Sequence, residues 1–219
     1  MKLKSLFILA TFAVALPSCE KDSVTGSGNI QTVQRQTADF TKVATRGSAV
    51  VHIEYGTAFE VKVKGYANLL PYLKTTVENG VLNVRYENTG QVRNDNTEVF
   101  ITMPVLTGLF SSGSGDMHAA GDFGSSAGFE AEISGSADIF VEKAAVEKFV
   151  LRSSGSGSFG GFGFKTQLAD VEISGSGEAR LTVDQKLTVK INGSGSVYYQ
   201  GSPSTVDNDI SGSGKVIKQ

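Results

Sequence analysis

The chain is poor in residues that cross-link or punctuate a fold. It holds one cysteine, four prolines and no tryptophan among 219 residues. A single cysteine excludes an internal disulfide framework and a thiolate-based zinc site. Excess charge of one sign is also missing. Twenty Lys and Arg stand against 22 Asp and Glu, a formal net charge of −2. Without a basic excess, binding to a nucleic-acid backbone is disfavoured. The two histidines, His52 and His118, lie far apart in the chain and make a poor transition-metal site. What the chain does have is 40% apolar residues, enough to bury a core in one or at most two domains, and 26 glycines.

The N-terminus reads as an address. Lys2 and Lys4 precede an apolar run from Leu6 to Leu16, broken only by Thr11. Such a run is too short to span a bilayer, which takes about 20 helical residues. It fits a secretory signal peptide over residues 1–18. The run closes on Leu16-Pro17-Ser18-Cys19, which resembles the bacterial lipobox. That resemblance implies cleavage before Cys19 and a diacylglyceryl thioether on its sulfur; an ordinary signal peptide with a nearby Cys is the alternative. Several acyl chains on one residue would hold the protein stably on a membrane. Glu20 and Asp22 follow at once, which loosely resembles surface-export signals of Gram-negative lipoproteins. An outer-membrane lipoprotein exposed at the cell surface is therefore expected, with a periplasm-facing one as the alternative. Residues 19–37 are polar and read as the lipidated Cys and a flexible tether. Asp22-Ser23-Val24 resembles a short bacterial O-glycosylation motif.

The second half repeats. Ser112-Gly113-Ser114, Ser134-Gly135-Ser136, Ser154-Gly155-Ser156, Ser174-Gly175-Ser176, Asn192-Gly193-Ser194 and Ser211-Gly212-Ser213 follow one another at steps of 22, 20, 20, 18 and 19 residues. Columns on both sides stay in phase. One residue before the motif stand Ser111, Ile133, Ser153, Ile173, Ile191 and Ile210. Five after its first residue stand Met117, Ile139, Phe159, Ala179, Val197 and Val216. Apolar and polar positions alternate with period two, so each repeat carries strand, bend, strand. A glycine–serine linker would not keep that phase. A repeat of this length cannot bury its apolar side alone, whereas coils stacked at about 4.8 Å can. The expected fold is all-β: a right-handed parallel β-helix, or β-solenoid, with coils of about 20 residues. A β-propeller is the rival, but its blades need about 40 residues. The Gly turns the chain without a Cβ penalty, and the flanking Ser or Asn hydroxyls and amides stack and satisfy the bent backbone. Ser-Gly-Ser is thus a structural corner.

Residues 38–107 fit less regularly. Arg46-Gly47-Ser48, with Val51 and Ile53, looks like a degenerate first corner. Asn79-Gly80 between two alternating runs signals a tight hairpin. Residues 88–97 read as a projecting loop, and Asn68–Leu73 is the one, short, helical candidate. Asp39-Phe40, Gly65-Tyr66-Ala67-Asn68-Leu69-Leu70, Gly80-Val81-Leu82, Met103-Pro104-Val105-Leu106, the recurring Ser-Gly-Ser-Gly and Val197-Tyr198-Tyr199-Gln200-Gly201-Ser202-Pro203 occur in an order that resembles the putative auto-transporter adhesin, head GIN domain family. The resemblance covers roughly residues 38–217. It implies a single β-helical, envelope-exported bacterial domain with no assigned biochemical activity, irregular over 38–107 and regular over 108–217.

Catalytic patterns are weak. Gly124-Ser125-Ser126-Ala127-Gly128 matches the hydrolase elbow. That elbow needs a helix after it and a His later in the chain, and both histidines come earlier. Gly155 to Gly160 matches a dinucleotide loop, but it is a product of the repeat and opens no helix. Asp116 and Asp138 share a column, which leaves calcium open, although charge on a solvated face is the simpler reading. The column two before each motif reads Glu132, Arg152, Glu172, Lys190 and Asp209. Its alternating signs neutralise coil by coil and do not present a pair of free carboxylates.

The expected protein is therefore no enzyme and needs no cofactor or metal. It is a non-catalytic envelope lipoprotein that contacts the membrane through its lipid and binds a glycan or protein at the surface. Phe140 and Tyr198, on outward columns, are the candidate ligand contacts, with Phe110, Phe162 and Phe164 at coil edges. A β-helical polysaccharide lyase or hydrolase, and a periplasmic structural or signalling component, are the alternatives. Oligomeric state stays open.

Overall fold

The computed structural model describes residues 22–219; Cys19 and the signal peptide expected over 1–18 lie outside them. The described residues form strands and no helix. The strands of the first half are β1 (Val24–Thr25), β2 (Ile30–Arg35), β3 (Lys42–Gly47), β4 (Val50–Tyr55), β5 (Glu60–Tyr66), β6 (Leu73–Glu78), β7 (Val81–Tyr86), β8 (Val92–Arg93) and β9 (Glu98–Met103). Those of the second half are β10 (Gly108–Gly113), β11 (Met117–Gly135), β12 (Ile139–Gly155), β13 (Ser158–Gly160), β14 (Phe164–Gly175), β15 (Glu178–Gly193), β16 (Ser196–Gln200), β17 (Thr205–Gly212) and β18 (Lys215–Lys218).

Two columns of strands meet at the Ser-Gly-Ser corners. Before the corner the spatial order is β6, β7, β3, β10, then the C-terminal parts of β11 and β12, then β14, the end of β15, and β17. After the corner it is β2, β5, β9, β4, then the starts of β11 and β12, then β13, the start of β15, β16 and β18. Every neighbouring pair from β7 onward in the first column, and from β9 onward in the second, is parallel. The result is a β-solenoid of about 6 turns.

The corner explains its own composition. Gly113, Gly135, Gly155, Gly175, Gly193 and Gly212 stand in register with φ between +121° and +142°. A Cβ on any of them would overlap the carbonyl oxygen of the corner glycine one coil earlier. That carbonyl accepts the N–H of the motif's last serine, as in Ser156 to Gly135 and Ser176 to Gly155, both 2.9 Å. The bend is thus satisfied backbone to backbone, where serine hydroxyls had been expected to do it. Gly47 takes the same place in the first rung, with φ +113°.

The apolar columns fill the interior. Phe129, Phe149, Phe159 and Phe164 are fully buried, with ring centroids 4.7–6.2 Å apart. Below this large-residue layer the registered partners shrink: Phe149 stands on Ala169, and Phe159 on Ala179. Large on small in successive layers keeps the core filled at constant cross-section. Phe164, expected at a coil edge, belongs to this core. The turn Gly161-Phe162-Gly163, closed by Phe164 N–H to the Gly161 carbonyl at 3.0 Å, leaves Phe162 half-buried and swings Phe164 inward.

The first half departs from chain order. The rung β3–Gly47–β4, first in sequence, lies second in the stack, between β7/β9 and β10/β11. The chain then passes to the outer end, where β5, β2 and β6 pair antiparallel and cap the solenoid. The cap hairpin turns at Asn79-Gly80, with φ +52° and +75°, as expected of that dipeptide. Two other expectations change. The polar stretch read as a tether contributes β1 and β2, and residues 88–97 do not project: β8 pairs with β1. Two of their polar side chains tie the segment to its neighbours. Asn94 Nδ2 donates to the Gly26 carbonyl at 2.8 Å, and Asp95 accepts from the Ser48 hydroxyl at 2.7 Å and the Tyr86 phenol at 2.8 Å. Asn68–Leu73 forms successive turns, with Leu69 N–H to Tyr66 O at 2.9 Å.

Candidate functional site

Strand alternation sends every second residue after the corner outward. The register then stacks Lys62, Phe100, His52, His118 and Phe140 on consecutive strands of one face. Phe100 and His52 are stacked at 5.0 Å with an interplanar angle of 17°, and His52 and His118 at 6.0 Å with the same angle. The two histidines are thus neighbours, although the sequence separates them widely. Among the described residues, no third His, Cys, Asp or Glu joins them in a metal-binding group.

Phe140 is 44% exposed. Its partner on the next coil is Gly160, which has no side chain to cover the ring. Farther along the same column stand Arg180 and Tyr198, with the guanidinium 5.2 Å from the ring centroid, and then Ile217. Tyr198 is half-buried and lies three rungs from Phe140, so the two expected contacts share a face without touching. The stripe is flanked by two ion pairs, Lys62 with Glu60 at 2.8 Å and Lys64 with Glu98 at 3.0 Å, and His52 Nε2 lies 3.7 Å from a Glu98 carboxylate oxygen. A depression of about 250 Å³ opens beside it, lined by His52, Glu54, Glu60, Lys62, Phe100 and Thr102. Flat rings in a row, bordered by paired charges, suit contact with a flat, partly polar ligand.

A sequence signal for the histidines existed. His52 is six residues after Arg46, His118 six after Ser112, Phe140 six after Ser134 and Tyr198 six after Asn192. They belong to one column of the repeat, and its aromatic character shows only when that offset is followed from rung to rung. Phe100 precedes the regular corners, so only its pairing with His52 assigns it.

The carboxylates have other work. Asp116 Oδ1 accepts the Asp138 N–H at 2.8 Å, and Asp138 Oδ1 accepts the Ser158 N–H at 2.9 Å. Both serve as backbone acceptors between coils. Glu132, Arg152, Glu172, Lys190 and Asp209 pair in register as the alternation requires, with Lys190 and Glu172 at 3.5 Å. Ser126 lies within β11 with its hydroxyl donating to the Gly128 carbonyl at 3.1 Å, and no helix follows. Gly155 to Gly160 spans a corner and β13.

Comparison with solved structures finds the same fold. A protein described as a putative adhesin from Bacteroides fragilis superimposes with a TM-score of 0.72 at 20% identity, covering 90% of this chain and 100% of that one. One described as a putative lipid binding protein from Parabacteroides distasonis gives 0.59 at 22%, covering 90% and 100%. A putative adhesin from Parabacteroides merdae gives 0.58 at 18%, covering 90% and 99%. At these identities the likeness is one of fold. No curated protein matches. The stacked glycine corners and the residues around them match a family model over 39–203, and the chain belongs to the family described as "Putative auto-transporter adhesin, head GIN domain".

Proposed function

We propose that the protein is a non-catalytic binding module of the bacterial cell envelope, held on the membrane through a lipid on Cys19, that presents its aromatic stripe to a saccharide chain. The observation that carries this reading is the registered stack Phe100–His52–His118, continued by the exposed ring of Phe140. The ring face of Phe140, left open by Gly160, receives the C–H face of a sugar. The imidazole edges supply hydrogen-bond donors and acceptors for its hydroxyls. A family whose members are described as adhesins supports an exterior, contact-making role.

The test is calorimetric titration of a polysaccharide panel against the protein and its Phe140→Ala and His118→Ala variants. Each variant is expected to weaken binding about tenfold, or about 1.4 kcal/mol. Variants that bind like the parent, or binding of a protein or lipid vesicle with no saccharide bound, would reject the stripe as a sugar site. Envelope attachment is tested separately. Incorporation of labelled fatty acid is expected to vanish in Cys19→Ser, and protease applied to intact cells is expected to remove the domain.

A further inference from the structure

On the opposite column, before the corner, three cations stand directly across from one another: Lys74 on β6, Arg85 on β7 and Arg46 on β3. Like charges facing one another across strands are destabilising. The local compensation is partial. Arg85 is paired with Glu87 at 2.7 Å, and the Lys74 ammonium donates to the Pro71 carbonyl at 2.8 Å. Arg46 is exposed and joins none of the ion pairs formed among the described residues.

A cleft lies beside this triplet because the next outward column changes size abruptly. Asn83, Ala44 and Phe110 stand in register, and the small Ala44 between two larger residues leaves a depression of about 370 Å³. Ala44 is its floor, Phe110 one wall and Asn83 the other. Arg46 and Arg85 stand along one side, and Ser112 and Ser134 continue the arginine column as hydroxyls. Glu132 lines the far end, in register with Arg152.

We infer that this cleft is a second binding site, for a sugar that carries a carboxylate or a sulfate. The paired guanidinium groups take the anion, bridging two like charges that otherwise oppose each other. The Phe110 wall takes the ring face, and Asn83, Ser112 and Ser134 take hydroxyls. The lining sets Arg46, Arg85, Asn83, Ser112 and Ser134 around the Ala44 floor and the single aromatic wall of Phe110, a mixture that favours an acidic glycan over a lipid. The site is independent of the aromatic stripe, which lies on the column after the corner.

The experiment titrates the purified protein with oligogalacturonate, a sulfated chondroitin disaccharide, a neutral oligogalactan and glycerol phosphate at two salt concentrations. An acidic sugar is expected to bind, with affinity falling as salt rises, and the neutral oligogalactan to bind at least tenfold more weakly. Arg46→Gln, at an exposed position, is expected to weaken acidic-sugar binding tenfold or more with a thermal midpoint no lower than the parent's, since it removes one of three facing cations. Ala44→Leu, which fills the floor and leaves every charge in place, is expected to abolish it. Phe140→Ala is expected to have no effect here, so loss of this site and loss of the stripe are read apart. Equal binding of neutral and acidic sugars, no binding of either acidic sugar, undiminished binding in Arg46→Gln, or glycerol phosphate binding as tightly as the acidic sugars would each overturn the inference.

Discussion

At the scale of single residues, the glycines divide into two kinds. Gly155 has φ +132° and an overlying carbonyl, whereas a Cβ at Gly128 meets nothing nearer than 3.7 Å, the Lys148 carbonyl. Gly155→Ala combines left-handed strain, on the order of 1–2 kcal/mol, with displacement of the neighbouring coil. It is expected to lower unfolding free energy by more than about 2 kcal/mol, and Gly128→Ala to leave it level or raise it by up to about 1 kcal/mol. Urea unfolding of both variants measures the contrast, and equal effects would contradict the corner geometry. Tyr86 supplies a second residue-scale prediction. Burial, foremost, with the Asp95 charge, holds its phenol above the ordinary value, while the Thr97 hydroxyl at 2.6 Å works the other way. A raised folded-state pKa leaves the full stability in place below the unfolded value of about 10 and removes it as pH climbs beyond that. Denaturant midpoints should fall from about pH 10 upward. Tyr86→Phe should flatten that limb; an identical limb in the variant would assign it to other groups.

At the scale of strands, register is held by the interior columns and reinforced by the outward charges. Arg152 sits between Glu132 and Glu172. Arg152→Glu would set three carboxylates on consecutive rungs. With cross-strand pairs contributing roughly 0.2–1 kcal/mol each, a loss of about 1–2 kcal/mol is expected, and it should shrink in high salt. A loss unaffected by salt would point to packing instead. The period-two columns of these strands were legible in the sequence because each rung repeats the same inward and outward alternation. The aromatic stripe was half legible. Phe140 and Tyr198 were expected contacts, but the pairing of His52 with His118 and Phe100 depends on which rungs touch. The cationic cleft was not legible, because Lys74, Arg85 and Arg46 come from strands whose sequence order differs from their order in the stack.

At the scale of the molecule, a solenoid is close to one-dimensional: each rung's stability depends on its neighbours. The last rung, β17 and β18, is mostly exposed and covers only the rung before it. Removal of residues 202–219 is expected to leave a cooperatively folding protein with a lower unfolding free energy and a smaller denaturant slope, since less surface is exposed on unfolding. Ile53→Ala, in the rung held between two others, is expected to cost about 2–5 kcal/mol. Circular dichroism with urea titration compares the two, and loss of all cooperative folding on truncation would refute the nearest-neighbour picture.

Composition and periodicity alone determined the stacked coils, because a short repeat with alternating apolar residues has only its neighbours to bury against. They also marked the corners, where only glycine tolerates both the turn and the rung beside it. Tertiary structure decided the position of the first rung inside the stack, the antiparallel cap, and the residues brought side by side on the two outer faces. Those depend on contacts between segments far apart in the chain, and no local preference for strand or turn encodes which distant strand becomes the neighbour.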